Sequence, residues 1–257
     1  MGILNSELTL VTCSKKDFSG LKRTLNSLLN FQSDFPKLIL VLSEYTQVEI
    51  ELINSEFNLL KPEIFQIEPA GIYNAQNFGL KKVKTRLVMI LNGGDAILSQ
   101  ASTQKLVQKI GANNWGYGSC ELVNPNNGVA SIYRNYPYFN SLHRLGLRFV
   151  PHPSVLVDAE QARQYGGFDL KFNISADQKM LLQFANDSRP ITIKETISSF
   201  ELGGASSRNP KEIVKDFAKI SHEIYGDFLG IKPVDRILWR VSLLARVILR
   251  RKLNRFL

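Results

Sequence analysis

The chain has 257 residues, of which 44% are hydrophobic and 21% charged, an ordinary globular composition long enough to bury one sizeable core. Its two cysteines, Cys13 and Cys120, are too few and too far apart for a disulfide framework or a zinc site, which points to a reducing compartment. Residues 231–257 carry eight Lys and Arg against Asp235, +7 of the formal +9, so the remainder is nearly neutral and lacks the spread positive charge of a nucleic-acid groove.

Residues 1–7 hold neither a basic run nor an apolar stretch fit for a signal peptide. Leu8–Cys13 is rich in β-branched residues and predicts a buried strand, with Cys13 a small core residue. Leu21, Leu25, Leu28 and Leu29 then recur at helical spacing within 18–31. The same alternation continues with a strand at 37–42, a helix at 48–60, a strand at 63–67, a helix at 72–84 and a strand at 86–91. A Gly-Gly-Asp turn leads to a helix near Ser99. Short links between such elements imply right-handed crossovers and a mostly parallel α/β sheet. Farther on, strands are expected at 115–123 and 129–134 around an Asn-Pro-Asn-Asn-Gly turn, and at 154–157 and 191–194. Helices are expected at 159–165, ended by Gly166 and Gly167, at 175–185, and at 211–225 after Pro210. Ligands of open parallel sheets sit beyond the carboxyl ends of the strands. Here those ends are Thr12 to Ser14, Ser43-Glu44, Glu68-Pro69 and Asn92 to Asp95.

Two nucleotide-binding designs are excluded. No Gly-x-Gly-x-x-Gly follows the first strand, and no Gly-x-x-x-x-Gly-Lys-Ser/Thr occurs. The turn Ser14-Lys15-Lys16-Asp17-Phe18 also lacks the glycine-rich loop a sugar nucleotidyltransferase turns to a triphosphate. Val11-Thr12-Cys13-Ser14 followed by Leu21-Lys22-Arg23-Thr24-Leu25-Asn26-Ser27-Leu28 resembles the opening of family 2 glycosyltransferases of the GT-A fold. Gly71 to Gly79 is similar to that family's Gly-Ile-Tyr-Asp-Ala-Met-Asn-Lys-Gly segment, and Leu91 to Asp95 to its metal loop. His152 to Val157, Gly166 to Asp169 and Ser175 to Asp177 resemble its acceptor-side half. The pieces fall in the family's order over residues 8–205, closest to the branch that builds bacterial surface polysaccharides.

The resemblance implies a GT-A (Rossmann-like) mixed sheet flanked by helices and the transfer of a sugar from a nucleotide-sugar donor to a glycan or lipid-linked acceptor. A leaving nucleoside diphosphate needs its charge neutralised. An Asp exposed after a strand can hold Mg²⁺ or Mn²⁺ against the phosphates, and Asp95 fits that role with Asn92 as a neutral oxygen helper. The same residues also read as a plain turn. The chain departs from the family at Gly93, where the first Asp of an Asp-x-Asp loop would fall. Donor contacts are implied for Thr12, Ser14 and Glu44, with Glu44 standing where the family often has Asp, and for Asn74 and Asn77 at the start of the 72–84 helix. Those asparagines equally suit a solvated polar face. Inverting transfer needs a base for the acceptor proton. Asp177 is the candidate, in a first helical turn that Ser175 could cap with Gln178 completing a capping box; an acid there also simply suits the helix dipole. Asp169 and Asp158 are weaker alternatives. His152, between two prolines, could touch the metal or a phosphate, or be a structural histidine. Gly203 to Arg208 could close over the diphosphate or be an ordinary loop.

A division into a catalytic domain over 1–230 and a basic amphipathic helix over 231–257 follows from the tail. At helical spacing Arg236, Arg240, Arg250 and Arg251 gather on one side, Ile237, Val241, Ala245, Ile248 and Leu249 on the other, and Trp239 at the boundary. Arg interrupts every apolar run, so spanning a bilayer is excluded. The pattern suits an anionic membrane surface, which would place the protein in the cytoplasm on the inner face of the membrane; the competing reading is a helix packed on the domain or on a second subunit.

Overall fold

The structure, a computed structural model, describes residues 2–124, 127–202 and 210–226, with Ile237 and Val241. The predicted tail helix, apart from those two exposed side chains, and the Gly203–Arg208 loop lie outside the described residues, as does the expected boundary at 230.

The apolar runs become strands: β1 (Leu8–Lys15), β2 (Lys37–Ser43), β3 (Glu63–Gln66), β4 (Leu87–Ile90), β5 (Ala96–Ile97), β6 (Trp115–Val123), β7 (Ala130–Tyr133), β8 (Val155–Asp158) and β9 (Ile191–Glu201). They form one sheet in the order β3-β2-β1-β4-β8-β6-β9-β5, with β7 on β6. β1 to β4, β6 and β9 run one way and β5, β7 and β8 the other, so the sheet is mixed and mostly parallel. The helices are α1 (Ile3–Glu7), α2 (Phe18–Leu29), α3 (Gln47–Glu56), α4 (Ile72–Lys82), α5 (Gln100–Ile110), α6 (Asn140–Arg144), α7 (Ala159–Gln164), α8 (Ala176–Asp187) and α9 (Pro210–Tyr225). None among the described residues is long and apolar enough to cross a membrane.

Strand alternation builds a core on each face. Leu8 and Leu10 of β1, Leu38, Leu40 and Leu42 of β2 and Leu87 and Met89 of β4 pack under α2 and α5. Val11 and Cys13, Ile39 and Val41, and Val88 and Ile90 point the other way, under α4 and α8. The helix expected at 48–60 stops at Glu56, and Asn58–Leu60 tightens into a 3-10 turn. Phe57 leaves the helical region at φ −116°, and Lys61, before Pro62, ends the turn at φ 47°, outside the right-handed region a pre-proline residue avoids. β9 runs seven residues past its predicted end at Lys194, drawn along β6 through an irregular register near Ser119.

Two halves meet at α4. Asn77 Nδ2 donates to the Phe168 carbonyl and Asn77 Oδ1 accepts from the Phe168 amide, both at 2.8 Å, binding α4 to the segment before α8. A Cβ on Gly167 would fall 2.3 Å from Asn77 Oδ1, and Gly167 has φ 71°, so both contact and backbone require glycine there. Asn77→Ala would leave the buried main chain of Phe168 unpaired at both groups. It should destabilise the fold by roughly 2–4 kcal/mol, read as a fall in the urea midpoint at unchanged slope.

Candidate active site

The β4–β5 loop is clasped from below by α2. Gly93 N donates to Cys13 O at 3.0 Å and Gly94 N to Gly20 O at 3.0 Å. The buried Thr24 hydroxyl donates to Asp95 O at 2.7 Å and accepts from Gly94 N at 3.0 Å. The loop therefore sits tightly on the end of β1, and a Cβ on Gly93 would lie 2.8 Å from Ser14 Oγ. A side chain at position 93 would therefore require Ser14 to shift.

Asp95 is 5% exposed, and its Oδ2 has no hydrogen-bond partner. Burial pushes its carboxyl up to about 8, opposed by backbone N–H groups and by Arg23 and reinforced by the Glu201 charge. Arg23 in turn pairs with Glu201 at 3.2 Å. A buried, unpartnered carboxylate oxygen fits a divalent cation that keeps its waters and is completed by substrate phosphates. Among the described residues, no three His, Cys, Asp or Glu side chains gather into a closed metal site.

The expected donor contacts divide. Glu44 stands exposed at the end of β2 with φ 59°, paired to Lys15 at 3.0 Å. Asn92 is partly exposed and takes a 3.0 Å hydrogen bond from the buried Gln76. Asn74 is partly exposed near Gly71, its amide turned back to the Ala70 carbonyl. Ser14 is nearly buried, with Oγ 2.7 Å from the Tyr45 hydroxyl, and braces the loop above it. Thr12 is fully buried, its hydroxyl without a hydrogen-bond partner among the described residues, as is Asp95 Oδ2. One expectation is corrected. Asn77 has both ends of its amide held by Phe168 and is a structural tie.

On α8, Asp177 in the first turn is partly exposed. Its Oδ1 lies 3.1 Å from the Tyr73 hydroxyl, which also bonds Ile174 O at 2.7 Å, and its Oδ2 accepts from Gln178 Nε2 at 2.8 Å. The Tyr73 ring stacks on Phe168 with centroids 5.5 Å apart. The expected capping box is not formed. Ser175 makes no side-chain cap, and the Gln178 amide is held instead by the Val150 main chain and His143 as well as by Asp177. The two weaker acid candidates have other work: Asp158 caps α7 through Gln161 N at 2.9 Å, and Asp169 pairs with Lys179 at 2.6 Å. His152 sits in a 3-10 turn, edge-on to Phe168 at 5.5 Å. Burial lowers its pKa, opposed by the Asp177 charge.

Tyr73, Gln178 and His143 belong to this site although the sequence reading gave none of them a role in it. The Gly71-Ile72-Tyr73 segment marked Tyr73's place, but not its reach to α8. His143 is wholly buried, with Nδ1 2.9 Å from Tyr138 OH and Nε2 3.1 Å from Gln178 Oε1. With Nε2–H donating to that oxygen, the Gln178 amide group is turned toward Asp177. Burial pushes His143 down to about 4. Its folded pKa is below its unfolded value, so its share of stability is complete above about pH 6.5 and lost as pH falls toward 4. That share is about 3 kcal/mol by linkage. Urea unfolding across this window should show wild type losing stability that His143→Gln does not lose; parallel curves would refute the assignment.

No protein-family model matches the chain. Over 222 residues it is 24% identical to an uncharacterized glycosyltransferase of Mycobacterium tuberculosis, found alike in strains CDC 1551 and H37Rv, covering 83% of this chain and 82% of the relative. S. aureus TarS 1-349 in complex with UDP-GlcNAc superposes with a TM-score of 0.67 at 12% identity, over 93% of this chain and 72% of that one. The mannosyltransferase PcManGT from Pyrobaculum calidifontis, solved with GDP-Man and Mn²⁺, gives 0.63 at 15% identity, over 94% and 75%. The chain thus shares its fold with glycosyltransferases solved with nucleotide-sugar donors, and its sequence is similar to a glycosyltransferase over four-fifths of its length.

Proposed function

We propose that this protein is an inverting glycosyltransferase of the family 2, GT-A type, which transfers a sugar from a nucleotide-sugar to an acceptor hydroxyl. The observation that carries the reading is the placement of Asp177. It stands where α4 and α8 meet, partly open to solvent, with its carboxylate aimed by Tyr73 and Gln178, while Asp158 and Asp169 serve a helix cap and an ion pair.

In this reading the donor lies across the carboxyl ends of β1, β2 and β4 and the start of α4, within reach of Glu44, Asn74 and Asn92. Asp95 would hold Mn²⁺ or Mg²⁺, which would offset the charge of the leaving diphosphate. The acceptor oxygen attacks the anomeric carbon, the bond to the diphosphate oxygen breaks with its electron pair, and Asp177 takes the acceptor proton. A glycan or lipid-linked acceptor in bacterial polysaccharide or glycolipid synthesis, a cytoplasmic location and attachment to anionic membrane through residues 231–257 complete the proposal.

Asp177→Asn keeps shape and hydrogen bonding but cannot accept a proton. Turnover should fall by roughly 10²–10⁴ with donor affinity unchanged. Loss of donor affinity with a normal rate at saturating donor would make Asp177 a binding residue. Asp95→Ala should abolish the stimulation of donor binding by Mn²⁺, measured by calorimetry with UDP- and GDP-sugars, while the fold melts normally. Equal donor affinity with and without Mn²⁺ in wild type would remove Asp95 from this role. The crowded Gly93 favours one rival, a noncatalytic relative that binds sugar nucleotides; donor hydrolysis by wild type but not by Asp177→Asn would exclude it.

A further inference from the structure

The chain between Glu121 and Asp158 contains no acidic residue, yet holds Arg134, Arg144 and Arg148. The same stretch carries Val129, Ile132, Tyr136, Phe139 and Phe149, each 41–48% exposed. These are five of the thirteen large apolar side chains exposed among the described residues, gathered within 21 positions.

They sit on a built surface. The Tyr133 and Phe149 rings stack at 4.5 Å, and Arg148 donates to the carbonyls of Arg134 and Pro137, closing the segment after β7 onto the segment after α6. Lys194 of β9 adds a further cation, 5.3 Å above the Tyr136 ring. The end of α9 is anchored beside it. The Arg144 guanidinium lies 4.1 Å from the Tyr225 ring centroid, and Tyr225 OH is 3.4 Å from Asn140.

Exposed aromatic and aliphatic side chains set among arginines, with no acid in the stretch, have the composition of a surface lying at a lipid interface. We infer that the face formed by residues 129–149 rests on an anionic phospholipid bilayer, as a membrane contact of the folded body separate from the tail. The inference does not depend on the sugar-transfer reading, because it uses no residue of the cleft.

Cys13 and Cys120 are buried, so a single introduced cysteine can be labelled selectively in the full chain. An environment-sensitive fluorophore at Ile132→Cys or Phe139→Cys should shift to the blue and brighten on adding phosphatidylglycerol vesicles. The same label at Leu59→Cys, exposed beside the β3 edge, should not respond. Arg134→Gln should weaken vesicle binding about fivefold, the loss expected for one basic residue at an anionic surface. Silent labels at 132 and 139 on a chain that still floats with vesicles would assign binding to the tail and overturn the inference. So would the absence of vesicle binding, or a dimer that Ile132→Asp converts to monomer.

Discussion

The pair of hydrogen bonds between Asn77 and the Phe168 main chain is the constraint from which the geometry of the cleft follows. α4 is packed on the parallel strands by Ala75 and Leu80, while Phe168 belongs to the segment that leads into α8. Fixing these two to each other seats the Tyr73 ring on Phe168 and brings its hydroxyl within reach of Asp177. The glycine at 167 is the steric condition for that closeness. The Asn77 amide donates and accepts at once and so satisfies both groups of the Phe168 peptide unit, which an ionised Asp or a Leu cannot do.

On the donor side the same logic operates with a hydroxyl. Thr24 reaches up from α2 and fixes the loop that carries Asp95, while Gly93 presses against Ser14. The loop is consequently shaped both by these supports and by its own glycines, Gly93 against Ser14 and Gly94 at φ 101°. Because burial holds Asp95 near neutrality of charge at pH 7, occupation by a divalent cation would expel a proton, and cation affinity should rise with pH. Asp177, in the first turn of α8, is instead oriented by two side chains, the Tyr73 hydroxyl and the Gln178 amide.

Much of the architecture was legible because the first half is built from consecutive, locally patterned units. β1 to β4 are short apolar runs, and α2 and α4 show helical spacing, so the parallel half and its carboxyl-end cleft could be placed from sequence. β9 was half missed because Glu195 to Ser199 offers no apolar run; it is a strand because β6 lies beside it. β5, two residues long, has no periodicity to read. Gln178 illustrates a different failure. Its spacing from Ser175 fits a capping box, but His143 and Val150, distant in sequence, compete for the same amide and win. Asn77 was assigned to a polar helix face for the same reason, since nothing local reveals that Phe168 comes to meet it. Side chains whose partners are remote main-chain groups are invisible to periodicity, and this cleft is made largely of them.

β5 forms only two residue pairs with β9, Ala96 with Ser199 and Ile97 with Ser198. So brief a ladder has little cooperativity to resist separation, and it adjoins the deeply buried Asp95 carboxyl. Local opening at this corner can uncover the acid while the long β6–β9 ladder stays intact. β6 and β9 by contrast share seven residue pairs, so the long ladder beside this corner is the rigid part of the sheet against which β5 lies.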